Sequence, residues 1–225
     1  MKGRRMVRLN CERPGCVDVF RSSLVADADY EGELEIPALE STDALPDKMI
    51  PFSQAVSLGK HTGWVHFYED DVKFERVWRS PERYLSILEH FGGVIAPDFS
   101  LYRDMPLVMQ HWNVYRSRAF AHASQSRGQN VIANLRFGDE RTFEVACLGV
   151  PHEAGFAVGT HGLLRDSTDR KLLAAGLEYA VERLHPKIVV VYGSAPDQIF
   201  GEYRKNGVHI LQFDSKFAET HRKAD

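Results

Sequence analysis

Long apolar runs are missing from this 225-residue chain, and none approaches the roughly 20 residues that a membrane-spanning helix needs. The basic start from Met1 to Arg8 lacks the apolar stretch of a secretory signal. Cysteine is scarce: Cys11, Cys16 and Cys147 are too few, and odd in number, for a disulfide framework, which agrees with a reducing compartment. The chain therefore reads as a soluble cytoplasmic protein with no membrane partner. Excess charge of one sign is also missing, since 28 Lys and Arg against 31 Asp and Glu leave a net −3. No global basic field demands nucleic acid or an anionic surface, although a local basic face is compatible with that balance.

Several catalytic signatures are absent too. There is no P-loop, no dinucleotide-binding glycine pattern and no Gly-x-Ser-x-Gly elbow. His152-Glu153 has no second histidine three residues on, which removes the zinc-protease helix motif. Cys11 and Cys16 would make half a zinc site, and no second close pair completes it, so structural zinc is not expected.

What is present is a foldable α/β text. At 44% apolar and 11% aromatic the chain can bury a sizeable core. Its organisation changes near Gly63. Residues 1–62 read as an irregular arm packing on the main body, because Asp27 to Lys48 shows no sustained period, with Ile50, Phe52 and Val56 as candidate anchors. Residues 63–225 alternate strand-like and helix-like runs, the pattern of a mostly parallel sheet. Ser80-Pro81-Glu82 starts one helix and Gly92-Gly93 closes it. A longer helix from about Met105 places Val108, Trp112, Tyr115, Ala119 and Ala123 on its inner stripe, with Gln110, Asn113 and Arg116 opposite. A third runs from about Ser167 to Leu184, and Gly176 within it marks close packing. Shorter ones are expected from Pro196 and from Ser215. Between Phe137 and Phe143 too few residues remain for a crossover helix, so Phe143 to Leu148 is expected either to pair with Val131 to Phe137 as a hairpin or to leave an unusually reduced helix before the next parallel strand. The fold expected is an α/β, reduced or incomplete (βα) barrel, with an open mixed sheet as the competitor.

Six short apolar runs break off into polar residues at their carboxyl ends, where parallel α/β folds carry their sites. Gly-Val-Ile-Ala-Pro-Asp-Phe-Ser (93 to 100), Met105-Pro106, the Asn113 helix with Arg116 and Arg118, Val-Ile-Ala-Asn-Leu-Arg-Phe (131 to 137), the turn from Val158 to Gly162 and Val191-Tyr192-Gly193 together resemble the domain of unknown function 4417. That family occurs in phages and mobile elements of bacteria. The resemblance spans about residues 60 to 200 and implies a bacterial or phage setting, without supplying catalytic residues.

The site residues come from chemistry alone. Glu69, Asp70 and Asp71, joined by Asp98 and Asp104, offer oxygen ligands for Mg²⁺ or Mn²⁺, with Asp70, Asp98 and Asp104 as the metal set. The bland alternative is a solvated turn and braced loops, because adjacent acids point apart. His161, between Gly159 and Gly162, is a candidate acid or base beside Asp98 and Glu69, against the reading of a turn histidine. Arg116, Arg118 and Arg136, interleaved with aromatics, and Ser194 at a helix start are candidate phosphate contacts. The expected function is handling of a phosphorylated ligand, nucleotide or nucleic acid, by phosphoryl transfer or hydrolysis. The alternatives are a non-catalytic protein that binds a host protein and a nucleic-acid-binding accessory protein.

Overall fold

The structure, a computed structural model, describes residues 17–215. Cys11, Cys16 and any helix continuing from Ser215 lie outside that range. A two-stranded antiparallel ribbon, β1 (Tyr30–Glu31) and β2 (Ile36–Pro37), belongs to the N-terminal part. It is followed by β3 (Met49–Pro51), β4 (His61–His66), β5 (Phe91–Ile95), β6 (Val131–Leu135), β7 (Gly155–Gly159), β8 (Ile188–Tyr192) and β9 (His209–Phe213). These seven form one sheet, all parallel and in sequence order. The sheet thus begins at Met49, before the expected boundary at Gly63, and the Ile50 and Phe52 anchors are buried in it and beside it.

The links carry α1 (Phe52–Ala55), α2 (Asp71–Phe74), α3 (Arg76–Arg79), α4 (Pro81–Leu88), α5 (Leu107–Gln125), α6 (Phe143–Cys147), α7 (Ser167–Leu184) and α8 (Asp197–Lys205). Strand residues of one parity, Val65, Phe67, Val94, Ala133, Val158 and Val191, pack with Phe120, Leu177 and Phe200 of these helices in the main core. Residues of the other parity, Trp64, Ile95, Ile132, Ala157 and Val190, form a separate cluster. Period-2 alternation with both faces apolar is what a parallel sheet covered on both sides requires.

The second cluster lies on a concave face. Strands in a flat sheet sit about 4.8 Å apart, so β4 and β8, four intervals apart, would be separated by roughly 19 Å. Yet the His66 and Tyr192 rings have centroids 4.3 Å apart, and Tyr68 stacks on Tyr192 at 4.9 Å. Only a strongly curled sheet brings them together, and the seven strands make a half-barrel. Glycine admits the curl. A Cβ on Gly93 would run into the Trp64 ring, and one on Gly159 would sit 2.7 Å from Tyr68.

Three local expectations are corrected. Gly92 and Gly93 lie inside β5 and do not end a helix; the indole of Trp64 occupies the space a side chain at Gly93 would need. Phe143 to Cys147 is helical, so the hairpin gives way to the reduced helix. Asp139 and Thr142 form a reciprocal cap that launches it, and the crossover from β6 to β7 needs only that turn and a half. In α5 the inner stripe is reversed over its first half. Val108 is 74% and Trp112 44% exposed, whereas Gln110, Asn113, Arg116 and Arg118 are buried. Hydrogen bonds explain the inversion: Asn113 donates to the Ser100 carbonyl, Arg116 to Glu75 and Asn113, and Ser117 to the Pro97 carbonyl. Gly176, by contrast, has the close contact its sequence suggests, with the Phe137 ring lying 2.5 Å from where its Cβ would be.

Arg118 is the most deeply placed of the charged groups, at 1% exposure. Its Nε, Nη1 and Nη2 donate to the carbonyls of Leu148, Asn134 and Ala146 at 3.1, 3.0 and 2.6 Å. Burial lowers its pKa to about 10, which still leaves it charged at neutral pH.

Two substitutions test this packing. Arg118→Leu abandons three carbonyls and should cost about 3 kcal/mol or more in urea unfolding. Gly93→Ala should cost about 2 kcal/mol by overpacking against Trp64; an unchanged midpoint would mean that the indole is not seated over β5.

Candidate functional site

The carboxyl ends of the strands open onto a cavity of about 440 Å³. Glu69, Asp70 and Lys73 reach it from the link after β4, Asp98 and Ser100 from that after β5, Arg136 from β6, and His161 from the turn after β7. Tyr68 and Tyr192 complete its wall. A second cavity of about 450 Å³ adjoins it between α7 and the 101–104 loop. Asp98, Tyr102, Arg136, Gly159 and Leu163 line both, so Arg136 stands at the seam.

A continuous hydrogen-bonded chain crosses this rim. The Tyr68 hydroxyl donates to Asn134 Oδ1 at 2.8 Å, Asn134 Nδ2 donates to Asp98 Oδ1 at 2.7 Å, and Arg136 Nη1 donates to Asp98 Oδ2 at 2.7 Å. The Asp98 side chain is 8% exposed and that of Arg136 25%. Burial pushes the Asp98 carboxyl above its ordinary value, while Arg136 and Asn134 pull it back. Burial also opposes the charge on Arg136, but the Asp98 carboxylate more than compensates and raises that pKa. The Tyr68 phenol is pushed well above 10 by burial and by Asp98, so it remains a donor. Behind it, the His66 ring packs against both the Tyr68 and Tyr192 rings, and its Nδ1 accepts the Tyr68 backbone N–H.

Of the residues singled out by sequence, Asp98, Arg136, His161, Glu69 and Asp70 share the first cavity. Asp104 lines the second. The acids divide their work. Glu69 accepts the Ser53 N–H and hydroxyl at 2.8 and 2.5 Å, and Asp71 accepts the same pair of groups from Ser100 at 3.1 and 2.8 Å. Asp70 pairs with Lys73 at 3.4 Å. Among the described residues no three His, Cys, Asp or Glu side chains converge as a metal-holding group. Arg116 and Arg118 point away from the rim, the first to Glu75 and the second to backbone carbonyls. Ser194 is exposed outside both cavities, and its carbonyl accepts the Thr160 hydroxyl. Tyr68 and Asn134 lie outside the set of site residues expected from sequence. The signal for them is their position, a polar side chain of inward parity at a strand end.

The sequence relationships give the chain a family. The family described as a domain of unknown function, DUF4417, matches residues 28–214. The chain belongs to the DUF4417 family. It is similar to the Gene 1 protein of Mycobacterium phage L5, 33% identical over 184 residues that cover 80% of this chain and 80% of that protein. It is also similar to the Gene 1 protein of Mycobacterium phage D29, 34% identical over 202 residues, 86% of this chain and 72% of that one. No solved structure matches. The family match covers every strand of the half-barrel and all of the rim, extending beyond the span expected from sequence on both sides. The setting is that of a phage protein family, and no helix among the described residues is long and apolar enough to cross a membrane.

The Asp98–Arg136 pair has a pH signature. An acid whose folded pKa lies above its unfolded value favours folding at low pH and loses that contribution as pH rises through the folded pKa. Removing the guanidinium takes away the main downward pull on Asp98, so Arg136→Leu should widen the effect. Its stability deficit relative to the parent should be about 3 kcal/mol at pH 8 and shrink towards pH 5, read from thermal unfolding midpoints. A deficit independent of pH would place Asp98 in no special contact with Arg136.

Proposed function

We propose that the protein binds a small phosphorylated ligand in the carboxyl-edge cleft, with Arg136 as the phosphate receptor. One observation carries this reading. Arg136 gives Nη1 to Asp98, while its Nε and Nη2 have no hydrogen-bond partner among the described residues and the side chain faces both cavities. That free edge is the planar fork that matches two phosphate oxygens, and Asp98 behind it holds the guanidinium in place. Lys73, half-exposed and only loosely paired, supplies a second cation to the same cavity. His161 lines the mouth and is placed to move a proton on a bound ligand. In this reading Arg136 meets the phosphate charge, and a divalent ion at Asp70, Asp98 and Asp104 is not required, since those acids are split between two cavities and two pairings.

A small ligand is favoured over a polymer by the fate of the arginines on α5 and its flanks. Arg103 pairs with Asp169, Arg116 with Glu75, Arg127 with Glu82 and Glu89, and Arg141 with Asp139. A nucleic-acid backbone needs a track of available cations, and these are already neutralised within the fold.

Calorimetric titration with inorganic phosphate and ribose 5-phosphate tests the reading. Both should bind, and Arg136→Lys, which keeps the charge and loses the fork, should weaken binding by about tenfold or more. Absence of binding by both probes, or equal binding by the variant, overturns it.

A further inference from the structure

The second cavity differs in kind from the first. Its apolar walls are Leu101, Leu135, Phe137, Leu163, Leu172 and Leu173, and Asp104 and Arg136 are among its charged lining groups. Phe137 is fixed there, its ring laid over Gly176 of α7 and edge-on to Phe143 at 5.5 Å. Arg103 and Asp169, bridged at 3.2 Å, hold the 101–104 loop against the start of α7 and so keep the compartment walled. Asp104 is exposed at the mouth and has no hydrogen-bond or ion-pair partner among the described residues. A volume of about 450 Å³ lies within the range of small-molecule sites. Leucine walls with one rigid aromatic side and one carboxylate, Asp104, that no described residue pairs suit a flat, weakly polar group that carries N–H donors.

From this shape, and resting on the phosphate reading of Arg136, we propose that the ligand is a nucleoside monophosphate. Its base occupies the leucine-lined compartment between α7 and the 101–104 loop, and its phosphate sits on Arg136 at the seam. The sugar, which joins the two, then lies between the compartment and the seam, beside Tyr102, which lines both cavities. An exocyclic amino group of the base donates to the Asp104 carboxylate. A polynucleotide fits poorly, because the base compartment is backed by α7 and the strand end of β6 and accepts one planar group.

The test compares ribose 5-phosphate with 5′-AMP and 5′-GMP by calorimetry on the full chain. Sequestering the base should make at least one nucleotide bind about tenfold tighter than the sugar phosphate, the scale expected for burying a flat, mostly apolar ring. Leu172→Trp fills the compartment and should abolish that advantage while leaving ribose 5-phosphate affinity within about twofold. Asp104→Ala, a surface change that leaves the packing intact, should weaken nucleotide binding severalfold and the sugar phosphate not at all. If nucleotides and ribose 5-phosphate bind equally to the parent protein, the base compartment is overturned and the phosphate site stands. The compartment is equally overturned if the nucleotide advantage survives both Asp104→Ala and Leu172→Trp. If neither class binds, both proposals fall.

Discussion

A single buried cation ties the rim of the half-barrel to the helices behind it. Arg118 reaches from the middle of α5 to the carbonyl of Asn134 at the end of β6 and to two carbonyls at the end of α6. Among the described residues no carboxylate lies within ion-pair distance of it, although Glu31 is near enough to favour the charge. The charge is stabilised by carbonyl dipoles, two of them belonging to a helix C-terminus, the end that favours a cation. Because all three of its nitrogens are engaged, the guanidinium fixes three backbone positions relative to one another. The same residue whose carbonyl it grips, Asn134, directs its side chain into the cleft. The position of the site chain is thus inherited from a contact buried on the opposite side of the strand.

The curl of the sheet does the rest. Each strand offers its cleft residue at a similar height, and curvature turns a row that would stretch across a flat sheet into a ring of groups facing one another. The aromatic stack of His66, Tyr68 and Tyr192 fills the space under that ring. It also removes water from beneath Asn134 and Asp98, which is why burial is the leading influence on both Tyr68 and Asp98. Gly159 makes room for it, because a Cβ there would sit 2.7 Å from the Tyr68 ring.

Much of this architecture is legible in the residues. The apolar runs from Trp64, Val131, Phe156, Ile188 and Ile210 all reach into strands, and the polar residues after the first three line one cavity, whereas Ser194 after the fourth lies outside it. Ser167 to Leu184 is helical over that span because Asp166 caps it and Pro186 follows its end. What stays hidden depends on three-dimensional partners. A stripe of Val108, Trp112 and Tyr115 has the spacing of a buried face, and only the carbonyls of Ser100 and Pro97 and the carboxylate of Glu75 reveal that the polar stripe is the one turned inward. Spacing alone could not divide the acids either. Ser53 and Ser100 claim Glu69 and Asp71 from segments 16 and 29 residues away, whereas the neighbouring Asp70 remains at the surface.

The orientation of Asn134 has a further consequence. Asp98 can only accept while ionised, so the amide must turn Nδ2 to it and Oδ1 to the Tyr68 hydroxyl, and the chain runs in a single direction. Information about charge can then enter from one end only. An anion on the free Nε–Nη2 edge of Arg136 would share the guanidinium charge with Asp98, and the carboxylate would then draw more on Asn134, which tightens its hold on Tyr68. Occupancy at the seam would be reported at the opposite wall of the cleft, two hydrogen bonds away, without displacement of any strand.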